Sequence, residues 1–176
     1  MLNKLPKLVI TDIDGVWTDG GMFYDNHQGE WKKFNTADSV GVLYLKLLNI
    51  PIAIMTGEDT LIVKRRAEKL KIEHTYLGVS DKVKLAKGLI EKLNIGFEDV
   101  AFIGDEINDL ELLKKVGFSA APQNASKLVK NSVDLNLDTA GGNGAFRDFV
   151  LCLLEKNGIS EFELYNRYLE NKKFSQ

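Results

Sequence analysis

The sequence predicts an α/β fold in three layers, a mostly parallel sheet with helices on both faces, interrupted by a β-hairpin after the first strand. Three observations carry that expectation. Apolar runs of strand length alternate with amphipathic stretches of helix length along the whole chain. The runs are continuously apolar, as strands covered on both faces must be. Acidic and hydroxyl residues recur where the runs end, at the edge where open parallel sheets bind ligands.

Leu8–Asp12 (LVITD) is the first strand. Met22–Tyr24 and Glu30–Phe34 follow as two short strands around a polar Asp25–Gly29 turn, the hairpin. Ser39–Leu48 has helical spacing, and Pro51–Thr56 (PIAIMT) is the next core strand. Asp59–Leu70 sets Leu61 and Ile62 beside a basic face of Arg65, Arg66 and Lys69, with Asp59 as its N-cap. His74–Leu77, then Lys82–Leu93 behind an Asp81 cap, make a further strand and helix. Val100–Asp105 and the helical Asn108–Lys115 come next, with Gly117 as the helix stop. Gly117–Ala121, Asn124–Lys130 capped by Asn124, Val133–Leu137 and Gly144–Glu155 complete the core. Gly141, Gly142 and Gly144 read as a turn before that last core helix, and Glu161–Gln176 as an added polar helix. Neither repeat nor linker divides the 176 residues, so one domain is expected, with a hairpin flap over about 16–35 and the extra helix over about 160–173.

Composition narrows the function. Lys and Arg number 23 against 25 Asp and Glu, a formal charge of −2, so nothing attracts a nucleic-acid backbone. One cysteine, Cys152, excludes an internal disulfide or thiolate metal cage and reads as core packing. No apolar run is long enough to span a bilayer, and Met1–Lys7 is too short for a signal peptide, so a cytoplasmic location with no membrane partner is expected. His27 and His74 lack the companions of a nucleophilic triad.

The chemistry gathers at strand ends. Strand one ends in Asp12-Ile13-Asp14, strand two in Thr56-Gly57-Glu58, and strand four in Asp105 through Asp109, while Lys82 opens the helix after strand three. An isolated DxD is most simply a solvated turn, but four segments converging on one edge are not. Asp12 and Asp14, two apart in extended chain, leave on one face. Close carboxylates repel unless a cation lies among them, and an all-oxygen set without His or thiolate suits Mg²⁺. A hydroxyl from Thr56, an unhindered N–H from Gly57 and the charge of Lys82 are phosphate-binding parts. Together these suit attack of a carboxylate on a phosphoryl group, with a second carboxylate as acid and base.

DxDGVxT at Asp12–Thr18, Thr56, Lys82 and GDxxxD at Gly104–Asp109, in that order, resemble the haloacid dehalogenase superfamily of phosphohydrolases. The likeness spans Leu8 to Arg147 and implies a Rossmann-like fold. It implies Asp12 as nucleophile, Asp14 as acid and base, and Thr56, Gly57 and Lys82 at the phosphate. It implies Mg²⁺ held by Asp12, the Asp14 backbone carbonyl and Asp105, with Asp109 and Asn108 behind them. GVWTDGGMFYD, EWKKFNT and AGGNGAFRD are similar to the capless branch that contains 3-deoxy-manno-octulosonate 8-phosphate phosphatases. Members of that group typically carry Arg after the Thr-Gly, where this chain has Glu58. Glu58 with Lys69 is similar to the 2-keto-3-deoxynononate 9-phosphate phosphatases of sialic-type acid biosynthesis. A nine-carbon keto-acid phosphate is therefore the first expected substrate and the eight-carbon one the alternative. Arg66 is expected to reach substrate from a neighbouring subunit, although its basic helix is on physics alone a solvated face.

Two other classes fit less well. A phosphoacceptor signalling domain would place Thr and Lys after both acidic clusters, and here they come before the second. A non-catalytic oligomerisation module need not keep Asp12, Asp14, Lys82 and Asp105. The 26 positions from Thr56 to Lys82 and the 23 from Lys82 to Asp105 each hold one helix and one strand, leaving no room for a cap domain. The hairpin segment holds five of the chain's 16 aromatic residues, Trp17, Phe23, Tyr24, Trp31 and Phe34. An uncapped site and an aromatic excursion together predict self-association, as a homotetramer.

Overall fold

A computed structural model describes residues 4–27 and 29–174, without the side chains of 172–174. Positions 1–3 of the N-terminal stretch, Gln28 of the expected hairpin turn and positions 175–176 at the chain's end lie outside them. Six strands form one sheet: β1 (Leu8–Thr11), β4 (Ile52–Met55), β5 (His74–Tyr76), β6 (Val100–Ile103), β7 (Phe118–Ala121) and β8 (Leu135–Asn136). Their order is β5-β4-β1-β6-β7-β8, and every pairing is parallel. From β1 the chain winds outward through β4 and β5, then returns to β6 on the other side of β1. The crevice made by that reversal lies beyond the ends of β4, β1 and β6.

Residues of the central strands alternate between two apolar layers. Val9, Ile52, Ile54, Ala101 and Ile103 meet Val42 and Leu45 of α1 (Asp38–Leu47), Val63 and Ala67 of α2 (Leu61–Lys69), and Phe146, Phe149 and Leu153 of α6 (Ala145–Glu155). Leu8, Ile10, Ala53, Met55 and Phe102 meet Ala86, Leu89 and Ile90 of α3 (Lys82–Leu93), Leu112 and Leu113 of α4 (Leu110–Leu113), and Val129 of α5 (Lys127–Lys130). Thr11 is the polar exception on β1. Its hydroxyl accepts from Trp17 Nε1 at 2.9 Å and donates to the Asp12 carbonyl at 2.7 Å, so its burial leaves nothing unpaired.

Several local expectations are corrected. Thr60, not Asp59, precedes α2, and Ser126, not Asn124, caps α5 by accepting from Val129 N. Asp81 does cap α3, accepting from Lys84 N at 2.9 Å. Asn108–Lys115 is a 3₁₀ turn over Ile107–Asp109 followed by the single turn of α4. Gly117 is not among the glycines with positive φ, and a Cβ there would lie 2.2 Å from the Glu98 carbonyl oxygen, so close backbone approach and not a left-handed stop selects glycine. Asn49, Lys71 and Asn94 take the left-handed positions after α1, α2 and α3 instead.

The hairpin pairs β2 (Phe23–Tyr24) with β3 (Glu30–Trp31), shorter than its apolar pattern suggested. Its aromatics part company. Trp17 is fully buried and stacks on Phe146 with ring centroids 4.7 Å apart, and Phe34 packs on the core edge. Phe23, Tyr24 and Trp31 stay 57%, 69% and 55% exposed, so the hairpin does not bury them. Helix α7 (Glu161–Phe174) closes the described chain, anchored by buried Leu164 and by Tyr44 donating to Glu161 at 2.6 Å. No helix among the described residues is long and apolar enough to cross a membrane.

Candidate active site

Asp12 follows β1, Thr56 follows β4, Asp105 follows β6, and Lys82 begins α3. Each stands within two residues of the end of a strand, or at the first residue of a helix, so the rigid sheet positions it. An open cleft of about 260 Å³ is lined by Asp12, Asp14, Gly15, Gly20, Met22, Thr56, Gly57, Glu58, Asp105, Glu106 and Asn108. Lys82 and Asp109 lie buried behind it.

A charge cluster forms the floor. Lys82 Nζ lies 2.5 Å from Asp109 Oδ1 and 3.0 Å from Asp12 Oδ1, with its side chain only 2% exposed. Asp109 Oδ2 accepts from Asp105 N at 3.0 Å and Glu106 N at 3.4 Å. Both Asp109 oxygens are thereby engaged, and the loop bearing Asp105 is tied to them. Asp12, Asp105 and Asp109 each bring a carboxylate oxygen within 4.8 Å of the others. Two charges that close repel by roughly 3 kcal/mol at an effective dielectric constant of 20.

One buried ammonium does not balance three carboxylates. Burial, then Asp109, pushes Asp12 up to about 7 against the pull of Lys82. Burial, then Asp12 and Asp109, pushes Asp105 up to about 8. For Lys82, burial favours the neutral amine, but Asp12 and Asp109 more than offset it and hold the ammonium above the ordinary lysine range. Asp12 Oδ1 is buried and, although ion-paired to Lys82, receives no well-directed hydrogen bond. A buried carboxylate oxygen with only the shared Lys82 ammonium against it, beside a second acid at the open cleft, fits a hard divalent cation.

The loop after β1 is built to approach that floor. Gly15 has φ +80°, and a Cβ there would lie 1.8 Å from Asp105 Oδ2, so only glycine fits. Asn124 donates from Nδ2 to the Gly15 carbonyl at 3.0 Å and accepts from Gly141 N at 2.5 Å. The glycine segment before α6 is the expected turn and also buttresses the loop after β1. Thr56 Oγ1 accepts from Glu58 N at 3.3 Å, which leaves the hydroxyl proton for a ligand.

The predicted residues divide accordingly. Asp12, Asp14, Thr56, Gly57, Glu58, Asp105 and Asn108 share the cleft. Lys69 is exposed on α2 and is not among the cleft-lining residues. Arg66 bends inward, donating from Nη2 to Asn35 O at 3.1 Å with its guanidinium 5.8 Å from the Phe34 ring centroid. The sequence marks Asn124 only as a helix cap and does not single out Lys32. Lys32 Nζ lies 2.6 Å from Asp14 Oδ2 with its side chain fully buried. Its sequence signal is a lysine between Trp31 and Lys33 in a strand pattern, within EWKKFNT.

Comparison with known proteins agrees with this geometry. The model of haloacid dehalogenase-like hydrolases matches residues 72–147. The 3-deoxy-D-manno-octulosonate 8-phosphate phosphatase of Haemophilus influenzae is 36% identical over 168 residues, 95% of this chain and 93% of that protein. The corresponding phosphatase structure from Moraxella catarrhalis, in complex with magnesium, phosphate and 3-deoxy-D-manno-octulosonate, superposes with a TM-score of 0.85 at 34% identity, covering 89% of this chain and 90% of that one. A cobalt-bound form of the Haemophilus influenzae phosphatase gives 0.87 at 36% identity, covering 96% and 98%. With a matching fold, a cation-suited acidic cluster and relatives alike along nearly their whole length, the chain belongs to the haloacid dehalogenase-like hydrolases and is a phosphatase of that family.

Proposed function

We propose that the protein hydrolyses the phosphomonoester of a 3-deoxy-2-keto sugar acid, with 3-deoxy-D-manno-octulosonate 8-phosphate as first substrate. The observation that supports this most is the cleft uniting Asp12, Asp14, Thr56 and Asp105, in a chain 36% identical to an enzyme named for that substrate. The sequence alone had put the nine-carbon acid first. The relatives favour the eight-carbon one.

Asp12 attacks phosphorus, the bond from phosphorus to the sugar oxygen breaks, and Asp14 delivers its proton to that oxygen. Asp14 then takes a proton from water, which attacks the phosphoryl group on Asp12 and releases phosphate and the free carboxylate. Thr56 and Gly57 bind the phosphoryl oxygens, and Lys82 holds Asp12 in line while offsetting the charge that gathers there. Asp12, Asp105 and the Asp14 carbonyl would hold Mg²⁺, with Asp109 and Asn108 ordering the loop behind them. When bound, the ion neutralises phosphoryl charge that Lys82, already paired to Asp12 and Asp109, cannot.

A second reading rests on Glu58. Glu58 is one of the residues that line the cleft, where a carboxylate repels an acid and accepts from hydroxyl or amide groups, which suits a longer sugar chain. Measuring phosphate release from eight-carbon and nine-carbon keto-acid 8- and 9-phosphates decides between them. Faster turnover of the eight-carbon ester is expected, and a strong nine-carbon preference overturns it. Glu58→Arg should shift the ratio between the two esters by about tenfold or more while changing hydrolysis of a small aryl phosphate little. An unmoved ratio removes Glu58 from specificity.

Self-association belongs to the same reading. A shallow cleft gains a wall when Phe23, Tyr24 and Trp31 are covered by another copy, and a homotetramer is the proposed assembly. Sedimentation at working concentration should show it. A fully active monomer would refute this account of the hairpin.

A further inference from the structure

The hairpin reaches the cleft through one side chain. From the end of its second strand onward, side chains alternate in and out of the protein: Trp31 and Lys33 are exposed, while Lys32 between them is buried and Phe34 half-buried. Lys32 therefore points inward, with its side chain 0% exposed, and its ammonium meets Asp14 Oδ2 at 2.6 Å. Asp14 Oδ1 in turn accepts from the Thr18 hydroxyl at 3.3 Å. That hydroxyl is itself fixed, since Gly15 N and Gly20 N both donate to Thr18 Oγ1. Asp14 is gripped at both oxygens, by its own loop and by a residue 18 positions later in the chain.

The extended segment carrying Lys32, which follows β3, is anchored just beyond it. Arg66 covers Phe34 and donates to the Asn35 carbonyl. Asn35 donates from Nδ2 to Gly142 O at 3.0 Å and accepts from Ala37 N at 2.9 Å. Helix α2, the glycine segment and the start of α1 thus hold the segment that follows β3. A fully buried ammonium is costly to desolvate, and among the described residues Asp14 is its acidic partner. A lysine kept there for solubility would lie on the outer face beside Lys33.

We propose that Lys32 is a positioning residue for Asp14, fixing the plane of its carboxyl group so that it meets the leaving oxygen, and that the hairpin thereby sets the competence of the acid. This rests on the reading of Asp14 as acid and base. In the step concerned, the bond from Asp12 to phosphorus forms, the bond to the leaving oxygen breaks, and the proton passes from the Asp14 carboxyl to that oxygen. Protonation matters most when the leaving group is a poor one such as a sugar alkoxide, and little when it is a stable phenolate. Misplacing Asp14 should therefore slow alkyl esters selectively, which a general loosening of the fold would not do.

The test compares wild type, Lys32→Met, Lys32→Arg and Asp14→Asn on 3-deoxy-D-manno-octulosonate 8-phosphate, a simple alkyl phosphate and a graded series of aryl phosphates, at saturating Mg²⁺. Lys32→Met should lower kcat for the alkyl esters about 10²-fold, keep KM within about threefold, and cost less than about tenfold on 4-nitrophenyl phosphate. Lys32→Arg should recover part of the alkyl rate. Equal slowing of every ester by Lys32→Met, or no slowing, overturns the inference. Should Lys32→Met fail to fold, Lys32→Arg carries the same comparison, and an unaltered dependence on the leaving group overturns it. If Asp14→Asn steepens that dependence and the Lys32 variants do not, the inference falls and the acid/base reading stands. If Asp14→Asn leaves it unchanged, the reading of Asp14 itself falls.

Discussion

Asp12→Asn should abolish turnover, by at least about 10³-fold, while raising the melting temperature of the metal-free protein. The amide cannot attack phosphorus, so no covalent intermediate forms, and the loss should fall on every ester alike regardless of its leaving group. The gain in stability has a separate origin. Asp12 is buried with Asp109 and Asp105 close by and only Lys82 to balance them, which is why its carboxyl is pushed up to about 7. A neutral isostere removes that repulsion and leaves Lys82 paired to Asp109 at 2.5 Å. A gain of roughly 1–2 kcal/mol is expected, or about 3–6 °C for a chain of this length. Activity and thermal melting on the same preparation check both halves. Near-normal turnover would end the covalent mechanism, and a lower melting temperature would show that Asp12 is a net stabiliser.

Chelation should silence the enzyme completely and reversibly, with activity restored by added Mg²⁺. The same cluster fixes how stability depends on pH. In the metal-free fold Asp12 and Asp105 are raised to about 7 and about 8, whereas unfolded aspartate titrates near 4. Between these values the folded chain holds protons that the unfolded chain has released. Raising the pH therefore withdraws stability progressively from about pH 4 to about pH 8. A divalent cation replaces those protons, so its affinity should climb over the same interval. At pH 8 a hundredfold excess of Mg²⁺ over its dissociation constant should raise the melting temperature by roughly 5–10 °C, and distinctly less at pH 5. Thermal melts with and without chelator across that range provide the measurement. A metal-free protein that gained stability from pH 5 to pH 8 would contradict the cluster's electrostatics.

Much of this site was legible before folding because its residues stand at strand ends. A strand end is marked in sequence by the last apolar residue of a run, and a parallel sheet brings all such ends to one edge. Asp12, Thr56 and Asp105 needed no more than that. Lys82 was legible as the first residue of a helix whose Asp81 cap the structure retains. Local capping was read less well where tertiary demands overrode it. Asn124 has the right character for an N-cap, yet the loop after β1 recruits its amide for Gly15 and Gly141, and Ser126 caps α5 instead. Gly117 was expected as a helix stop and is instead required by the Glu98 backbone.

Arg66 shows the same limit from the other side. Its sequence neighbours suggest a solvated basic face, and its family resemblance suggests a substrate contact from another subunit. Within the chain it holds Phe34 and Asn35, and the segment it steadies carries Lys32.

The sequence by itself determined the α/β class and the acidic edge, because hydrophobic period and strand-end chemistry are properties of consecutive residues. It also determined that the segment after the first strand is an aromatic excursion. Only the tertiary structure decided that Trp17 leaves that excursion for the core while Phe23, Tyr24 and Trp31 remain outside. Only the tertiary structure paired Lys32 with Asp14 and Lys82 with both Asp12 and Asp109. Those pairs join residues 18, 70 and 27 positions apart. The energy of a buried charge depends on what the fold sets within a few ångströms of it, and no local pattern encodes that distance.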